Sequence, residues 1–126
     1  NVYDVFESSK HEIFVATFGG GLDKLTGFDK QNNGIFKNYS SPQMISNVPL
    51  TLTEDHEGNL WIPSENGLYR LFTGNDSIEV YDSWFLPEGL LLTESRACRL
   101  SNNEMLFGTD KGLLSMNPER MKRNHP

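Results

Sequence analysis

The chain has 126 residues, of which 37% are hydrophobic and 11% aromatic, a composition typical of globular proteins. Seventeen acidic residues against 11 basic ones give a net charge of −6, and the only dense basic stretch is residues 120–123. This balance argues against nucleic acid as a partner, and no apolar run approaches the length of a membrane span.

The sequence opens in a strand-like run, Val2 to Phe6, without a basic segment followed by an apolar core. We therefore read no signal peptide and expect the natural start to lie upstream. The single cysteine, Cys98, excludes an internal disulfide and is compatible with cytosolic and secreted compartments alike. Although Arg96 and Arg99 lie close to it, we interpret Cys98 as a buried small hydrophobic residue, the usual environment of free cysteine.

Three strand-like segments recur about every 45 residues. Each consists of an apolar triplet, a small residue or proline, and a hydroxyl residue, and each is followed by Gly-Leu. The segments are 13–17, 60–64 and 105–109, and the Gly-Leu pairs are 21–22, 67–68 and 112–113. A period of this length, divided into four strand-sized pieces, is typical of a β-propeller blade.

The segments between these strands carry turn chemistry. Asn66-Gly67 and Lys111-Gly112 predict tight hairpins, because glycine supplies positive φ at little steric cost. Polar clusters at 56–59 and 101–104 predict turns between first and second strands. Glycine-containing turns precede the predicted fourth strands 35–39 and 78–81. Because proline lacks a backbone N–H, Pro63 predicts a bulge or an unpaired position in its strand.

We therefore predict an all-β fold, a β-propeller fragment of about three four-stranded antiparallel blades. The predicted boundaries are 1–47, 48–91 and 92–126. After Met116 the sequence has prolines at 118 and 126 and no alternating apolar run. The last blade is accordingly predicted to be incomplete and to continue into a C-terminal linker.

The middle repeat closely resembles the two-component-regulator propeller repeat. The resemblance is carried by Gly58-Asn59-Leu60-Trp61-Ile62 and Asn66-Gly67-Leu68, with Pro63 in place of the usual glycine. Residues 5–25 are a looser copy, and 105–119 resemble the last blade of such propellers. The resemblance implies the periplasmic sensor region of a Bacteroidetes-type hybrid two-component system, which recognises oligosaccharides. It also implies a non-catalytic fragment of a histidine kinase.

In each predicted blade, the loops after the second and fourth strands emerge at one edge, where propellers bind ligands. Trp84 and Phe85 are the leading candidates there, since an aromatic face stacks on a pyranose ring. Packing between blades is the competing and favoured interpretation of these two rings. The full set of candidate ligand-binding residues is Asp82, Trp84, Phe85, Phe18, Glu65, Asn66, Asp110 and Lys111.

Other conspicuous residues receive structural interpretations. Trp61 is predicted to lie in the core between blades. The acidic group at 54, 55 and 57 is interpreted as a solvated turn, because it lacks the oxygen spacing of a calcium loop. His11, His56 and His125 have no neighbours at zinc-ligand spacing. We predict no metal, no cofactor and no catalytic residue.

Three functions compete: a ligand-sensing module, blades of a propeller lyase or hydrolase, and a protein-interaction scaffold. An enzyme would place histidines or carboxylates at the inner ends of first strands, where this sequence has Val5, Leu52 and Ala97. The expected partners are a small molecule or oligosaccharide and the remaining blades of the propeller. A second copy of the chain is a further option, because three blades cannot close a ring.

Overall fold

A computed structural model of the chain describes residues 2–17, 20–39, 51–64, 67–81, 92–93 and 97–120. These residues form three antiparallel sheets that follow one another along the sequence. The first sheet contains β1 (Val2–Glu7), β2 (Ile13–Thr17), β3 (Gly21–Phe28) and β4 (Gly34–Asn38). The second contains β5 (Thr53–Glu54), β6 (Leu60–Ser64), β7 (Gly67–Phe72) and β8 (Ser77–Tyr81). The third contains β9 (Cys98–Arg99), β10 (Met105–Thr109) and β11 (Gly112–Met116), followed by a 3₁₀ turn, Pro118–Arg120.

Strand order within each sheet follows the sequence, as expected for meanders built from consecutive hairpins. The predicted antiparallel all-β architecture is confirmed, and within the described residues the last sheet has three strands against four in the others. In the described part of the chain the last blade therefore lacks a fourth strand, in agreement with the prediction from the residues after Met116.

The turn between the first and second strands has the same backbone arrangement in all three sheets. Its first residue donates a hydrogen bond to the carbonyl four residues ahead and accepts one from the N–H three residues ahead. The residue with positive φ is His11 (62°), Gly58 (83°) or Asn103 (70°). In the first two sheets a short polar side chain, Ser8 or Asp55, also accepts two backbone N–H groups of the turn.

A side-chain hydroxyl closes each hairpin between the second and third strands. The hydroxyl at the end of the second strand donates to the carbonyl oxygen of the glycine that begins the third strand. The pairs are Thr17 with Gly21 (3.1 Å), Ser64 with Gly67 (3.1 Å) and Thr109 with Gly112 (2.8 Å). The recurring hydroxyl of the sequence repeat thus has the same structural role three times.

Two apolar clusters hold the sheets together. The cluster between the first and second sheets contains Phe14, Ala16, Leu22, Tyr39, Leu52, Leu60, Ile62, Tyr69 and Leu71. The cluster between the second and third contains Trp61, Leu68, Tyr81, Ala97, Met105, Phe107 and Met116. Because successive residues of a strand face opposite sides, β6 and β7 contribute to both clusters. The middle sheet is therefore buried on both faces, and the prediction of Trp61 as inter-blade core is confirmed.

Trp61 is anchored by a carboxylate from its own blade. Its indole Nε1 donates to Asp55 Oδ2 at 2.8 Å, and its ring stacks on Tyr81 with centroids 5.5 Å apart. Asp55 is only 2% exposed, so the solvated-turn interpretation is wrong for this residue. The neighbouring His56 and Glu57 are exposed. Asp55 is buried because its two carboxylate oxygens satisfy the turn backbone and the indole N–H.

Pro63 has the predicted effect on only one side of its strand. It pairs with Leu68 of β7 without a register shift, so the predicted bulge is absent. Towards β5, pairing within the described residues involves only Thr53 and Glu54, which leaves Pro63 unpaired on that side as predicted. The N–H of Leu52, just before β5, instead donates to Asp4 Oδ2 of the first sheet at 2.9 Å.

Cys98 does not have the predicted environment: it is exposed. The residue lies on the short edge strand β9, where its backbone pairs with Leu106. Met105 and Phe107, which flank Leu106, point into the cluster against the second sheet. Alternation therefore places Cys98 and Leu106 on the opposite face of the third sheet, which explains why the thiol is not buried.

Candidate functional site

In each four-stranded sheet, the hairpin between the second and third strands lies beside the end of the fourth strand. Asn38 pairs with Asp23 close to Gly21, and Tyr81 pairs with Leu68 next to Gly67. We call this edge of the sheets the hairpin edge. It is the edge on which the sequence places the candidate ligand-binding residues.

Two of the candidate residues are described. Asp110 and Lys111 form the two-residue turn between β10 and β11, where Thr109 pairs with Gly112. Both are exposed, and the Lys111 N–H donates to Thr109 Oγ1 at 3.1 Å. The other six candidates, Phe18, Glu65, Asn66, Asp82, Trp84 and Phe85, lie outside the described residues.

The first sheet adds two polar residues that sequence reasoning missed. Asn38 Nδ2 donates to the Gly20 carbonyl at 2.7 Å and to Asp23 Oδ1 at 2.6 Å. Amide, carboxylate and turn carbonyl oxygens at one edge are groups able to accept hydrogen bonds from sugar hydroxyls. Both residues lie in strands rather than loops, and only the register between β3 and β4 brings them together.

A polar cluster joins the first and second sheets. Lys37 Nζ lies 2.6 Å from Asp76 Oδ2, and Tyr39 Oη donates to Asp76 Oδ1 at 3.0 Å. The hydrogen bond from Lys37 lowers the pKa of Asp76 below its ordinary value. Burial, followed by the hydrogen bond to Asp76, raises the pKa of Tyr39. The contacts link the end of β4 to the turn before β8, and they stabilise the interface rather than provide chemistry.

The most buried cation in the described part of the chain is the guanidinium of Arg70, which is 4% exposed. Its Nε and Nη2 donate to Tyr81 Oη at 3.0 and 2.5 Å, and its Nη1 donates to the Pro118 carbonyl at 3.1 Å. The guanidinium also lies 4.6 Å from the Trp61 ring centroid and 4.7 Å from that of Phe72.

Tyr81 links the Arg70 guanidinium to a carboxylate. Its hydroxyl donates to Glu79 Oε1 at 2.8 Å, and Glu79 lies 3.5 Å from Arg70 Nη2. Burial, followed by the hydrogen bond to Glu79, raises the pKa of Tyr81, so the phenol remains neutral. The Arg70 cluster is thus a cation held by aromatic rings, a phenol, a carboxylate and a backbone carbonyl.

The described histidines make local contacts. His11 lies 3.2 Å from Glu7, and His56 Nε2 lies 2.9 Å from the Leu100 carbonyl oxygen. Across the described ranges, no three His, Cys, Asp or Glu side chains group as a metal site. No helix among those residues has the length and apolar character needed to cross a membrane.

No family model matches the chain, and no curated protein matches it in sequence. Solved structures do share its fold. The extracellular domain described as that of the hybrid two-component system BT3049 from B. thetaiotaomicron aligns with 95% of this chain at 24% identity and a TM-score of 0.75. The corresponding domain of BT4673, from the same organism, aligns with 99% of the chain at 22% identity and a TM-score of 0.69.

Both bacterial domains are much longer than this chain, which spans 16% of the length of each. A catalytically inactive virginiamycin B lyase from Staphylococcus aureus, solved with quinupristin, aligns with 90% of the chain at 14% identity and a TM-score of 0.62. The chain spans 36% of that enzyme. The predicted β-propeller fold is confirmed, and the extracellular domains of hybrid two-component systems are among the structures that share it.

Proposed function

We propose that the chain is part of the ligand-sensing propeller of a hybrid two-component sensor, located in the periplasm, and that it is not catalytic by itself. The observation that carries the proposal is the match of nearly the whole chain to the extracellular domain of such a system. The sequence repeat supports it independently, because Gly58-Asn59-Leu60-Trp61-Ile62 resembles the repeat of this class of propeller. The intact protein is then a histidine kinase, and ligand binding to the propeller regulates its kinase domain.

The ligand class we propose is an oligosaccharide bound at the hairpin edge. Asp23, Asn38, Asp110 and Lys111 offer exposed or partly exposed polar groups there. Trp84 and Phe85 are the proposed stacking residues, since an aromatic ring covers the apolar face of a sugar while polar neighbours take its hydroxyls. The remaining blades contribute further contacts.

Calorimetric titration of the intact protein against plant and host glycans tests the proposal. We expect one glycan class to bind, and Trp84→Ala to weaken its binding about tenfold or more, as loss of an aromatic anchor does. Phe28→Ala is the matched control, because Phe28 is a 62% exposed ring at the opposite end of β3. Its replacement leaves binding unchanged. If no glycan binds and a protein partner is recovered instead, the propeller is an interaction scaffold.

The alternative of a propeller enzyme is favoured by one observation, the similarity to virginiamycin B lyase. A propeller enzyme needs acid, base or metal-binding groups around its centre. At the inner first strands this chain has Val5, Leu52 and Ala97. Turnover of quinupristin by the intact protein, lost when a histidine of another blade is replaced, would establish the enzymatic alternative.

A further inference from the structure

The three blades have the same backbone register at the position of Arg70, but each carries a different residue type there. Backbone register makes Lys24, Arg70 and Ser115 equivalent, because they pair with Phe14, Trp61 and Leu106. Lys24 forms a 2.6 Å ion pair with Glu12 inside the first blade, and Ser115 is exposed. Of the three, Arg70 alone spans two sheets, since its Nη1 reaches the Pro118 carbonyl.

The Arg70 guanidinium lies between the side chain of the last residue of β8 and the backbone of the segment after β11. Tyr81 ends β8 at the hairpin edge, and the next residue in the chain is the candidate ligand residue Asp82. Pro118 and Glu119 instead line a small cleft with His56 and Asn103, in the turns at the opposite edge. Residues 117–120, which we call the exit segment, carry the chain away from β11. One side chain therefore connects the end of β8 with the exit segment.

A buried guanidinium makes these two contacts interdependent. Burying a cation is costly unless its donors remain paired, so a shift of either partner is penalised. Because the guanidinium is planar, its N–H groups point in fixed directions. This restricts the relative positions of the Tyr81 hydroxyl and the Pro118 carbonyl that it can bind together. Rings of Trp61 and Phe72 around the guanidinium fix its plane and prevent it from following one partner alone.

We propose that Arg70 is a coupling residue that transmits displacement of the end of β8 to the exit segment. The proposal rests on the proposed sensor function, for which it supplies a route from the hairpin edge to the exit segment. Coupling of this kind is reciprocal, so a change at Tyr81 alters the exit segment and a change at the exit segment alters the environment of Tyr81.

Hydrogen exchange of the full protein without ligand tests the coupling separately from ligand binding. The reporter is the exit segment, where the Glu119 N–H donates to Asn117 Oδ1 at 3.0 Å. Tyr81→Phe removes the hydroxyl that accepts from Arg70 and donates to Glu79. We expect it to accelerate exchange of the exit segment about threefold to tenfold, because the guanidinium that holds the Pro118 carbonyl loses a partner. Tyr39→Phe is the matched control, because Tyr39 directly follows the equivalent strand β4 but bonds Asp76 in the other interface. It should leave the exit segment unchanged.

Arg70→Lys completes a double-mutant cycle, since lysine keeps the charge but lacks the fork. We expect Arg70→Lys to accelerate exchange of the exit segment as well, and Tyr81→Phe to add little in that background. Additive effects, or an unchanged exit segment in Tyr81→Phe, would overturn the proposal and leave Arg70 as a local packing residue. Because no ligand is present, either result is independent of whether the protein senses glycans.

Discussion

Asp55 connects a turn, a core side chain and the neighbouring blade in the middle of the structure. Its Oδ1 accepts the N–H groups of Glu57 and Asn59, and its Oδ2 accepts the indole N–H of Trp61. Its backbone carbonyl accepts a 3.2 Å hydrogen bond from Arg99 of the third sheet. A single residue thus organises a turn, orients the largest core side chain and contacts the next blade.

We predict that Asp55→Ala lowers the free energy of unfolding by about 2–4 kcal/mol, because it leaves a buried indole N–H unpaired and removes the turn acceptor. Asp29→Ala is the matched control: Asp29 Oδ1 accepts the same pair of turn N–H groups, but the residue is exposed and bonds no indole in the described structure. Asp29→Ala should lower the free energy of unfolding by about 1 kcal/mol. Urea unfolding of the full protein measures the free energy of unfolding of both variants. Equal losses would contradict a stabilising role for the Asp55–Trp61 hydrogen bond.

Asp76 gives the interface between the first two blades an acid dependence. Its pKa is lowered from 3.8 by the hydrogen bond from Lys37, so the pair stabilises the folded state above about pH 4. That contribution is lost as the pH falls through the lowered pKa. The effect should be modest, because both side chains are more than a third exposed.

The variant that tests this is Asp76→Asn, which tolerates the positive φ of 60° at this position. We expect it to be less stable than the parent at neutral pH, and the difference to shrink at an acidic pH below the lowered pKa, where Asp76 is protonated. Urea midpoints at both pH values supply the measurement. A stability difference that stays constant with pH would show that the Lys37–Asp76 charge interaction contributes nothing.

At the level of elements, the turns between first and second strands form a natural comparison. The same left-handed position is occupied by His11, Gly58 and Asn103. Glycine adopts this conformation without a steric penalty, whereas other residues pay about 1–2 kcal/mol.

We therefore predict that Gly58→Ala lowers stability by about 1–2 kcal/mol. A Cβ at this position would also lie 3.2 Å from Lys10 Cε, a contact that the flexible lysine relieves. His11→Gly makes the reverse change and should raise stability by a few tenths to about 1 kcal/mol, since the exposed contact with Glu7 contributes little. Thermal unfolding of the two variants gives the comparison, and shifts of the same sign would contradict the argument.

The elements predicted correctly are those specified by neighbours in sequence. Glycine turns, hydroxyls and alternating apolar residues determine hairpins locally, so the period and most strands could be predicted. The exposure of Cys98 and the burial of Asp55 depend on strand pairing and side-chain contacts within their own blades, and the reach of Arg70 depends on Pro118, 48 positions away. The Asn38–Asp23 pair at the hairpin edge was missed for a similar reason, because it requires the register of two strands.

At the scale of the whole molecule, the two outer sheets each present a face that has no neighbour within the described chain. Leu113 is 75% exposed, whereas Leu68, its equivalent after the hairpin glycine, is fully buried between sheets. On the first sheet Val5 and Phe36 are 59% and 50% exposed. Repeat proteins cover such faces with the next repeat or a cap, so we expect these residues to be covered by a further blade or by a second copy of the chain.

We predict that the 126-residue chain alone associates with itself at micromolar concentration, because the face with Leu113 is equivalent to one that already packs against a neighbouring blade. Leu113→Lys should shift the chain towards monomer, whereas Gln31→Lys adds the same charge in an exposed turn and should not. Sedimentation velocity distinguishes the two variants. In the full protein Leu113→Lys should instead lower stability by about 2–3 kcal/mol, because the position is then covered by a blade. A chain that stays monomeric, together with a full protein indifferent to Leu113→Lys, would show that this face is exposed in the native molecule.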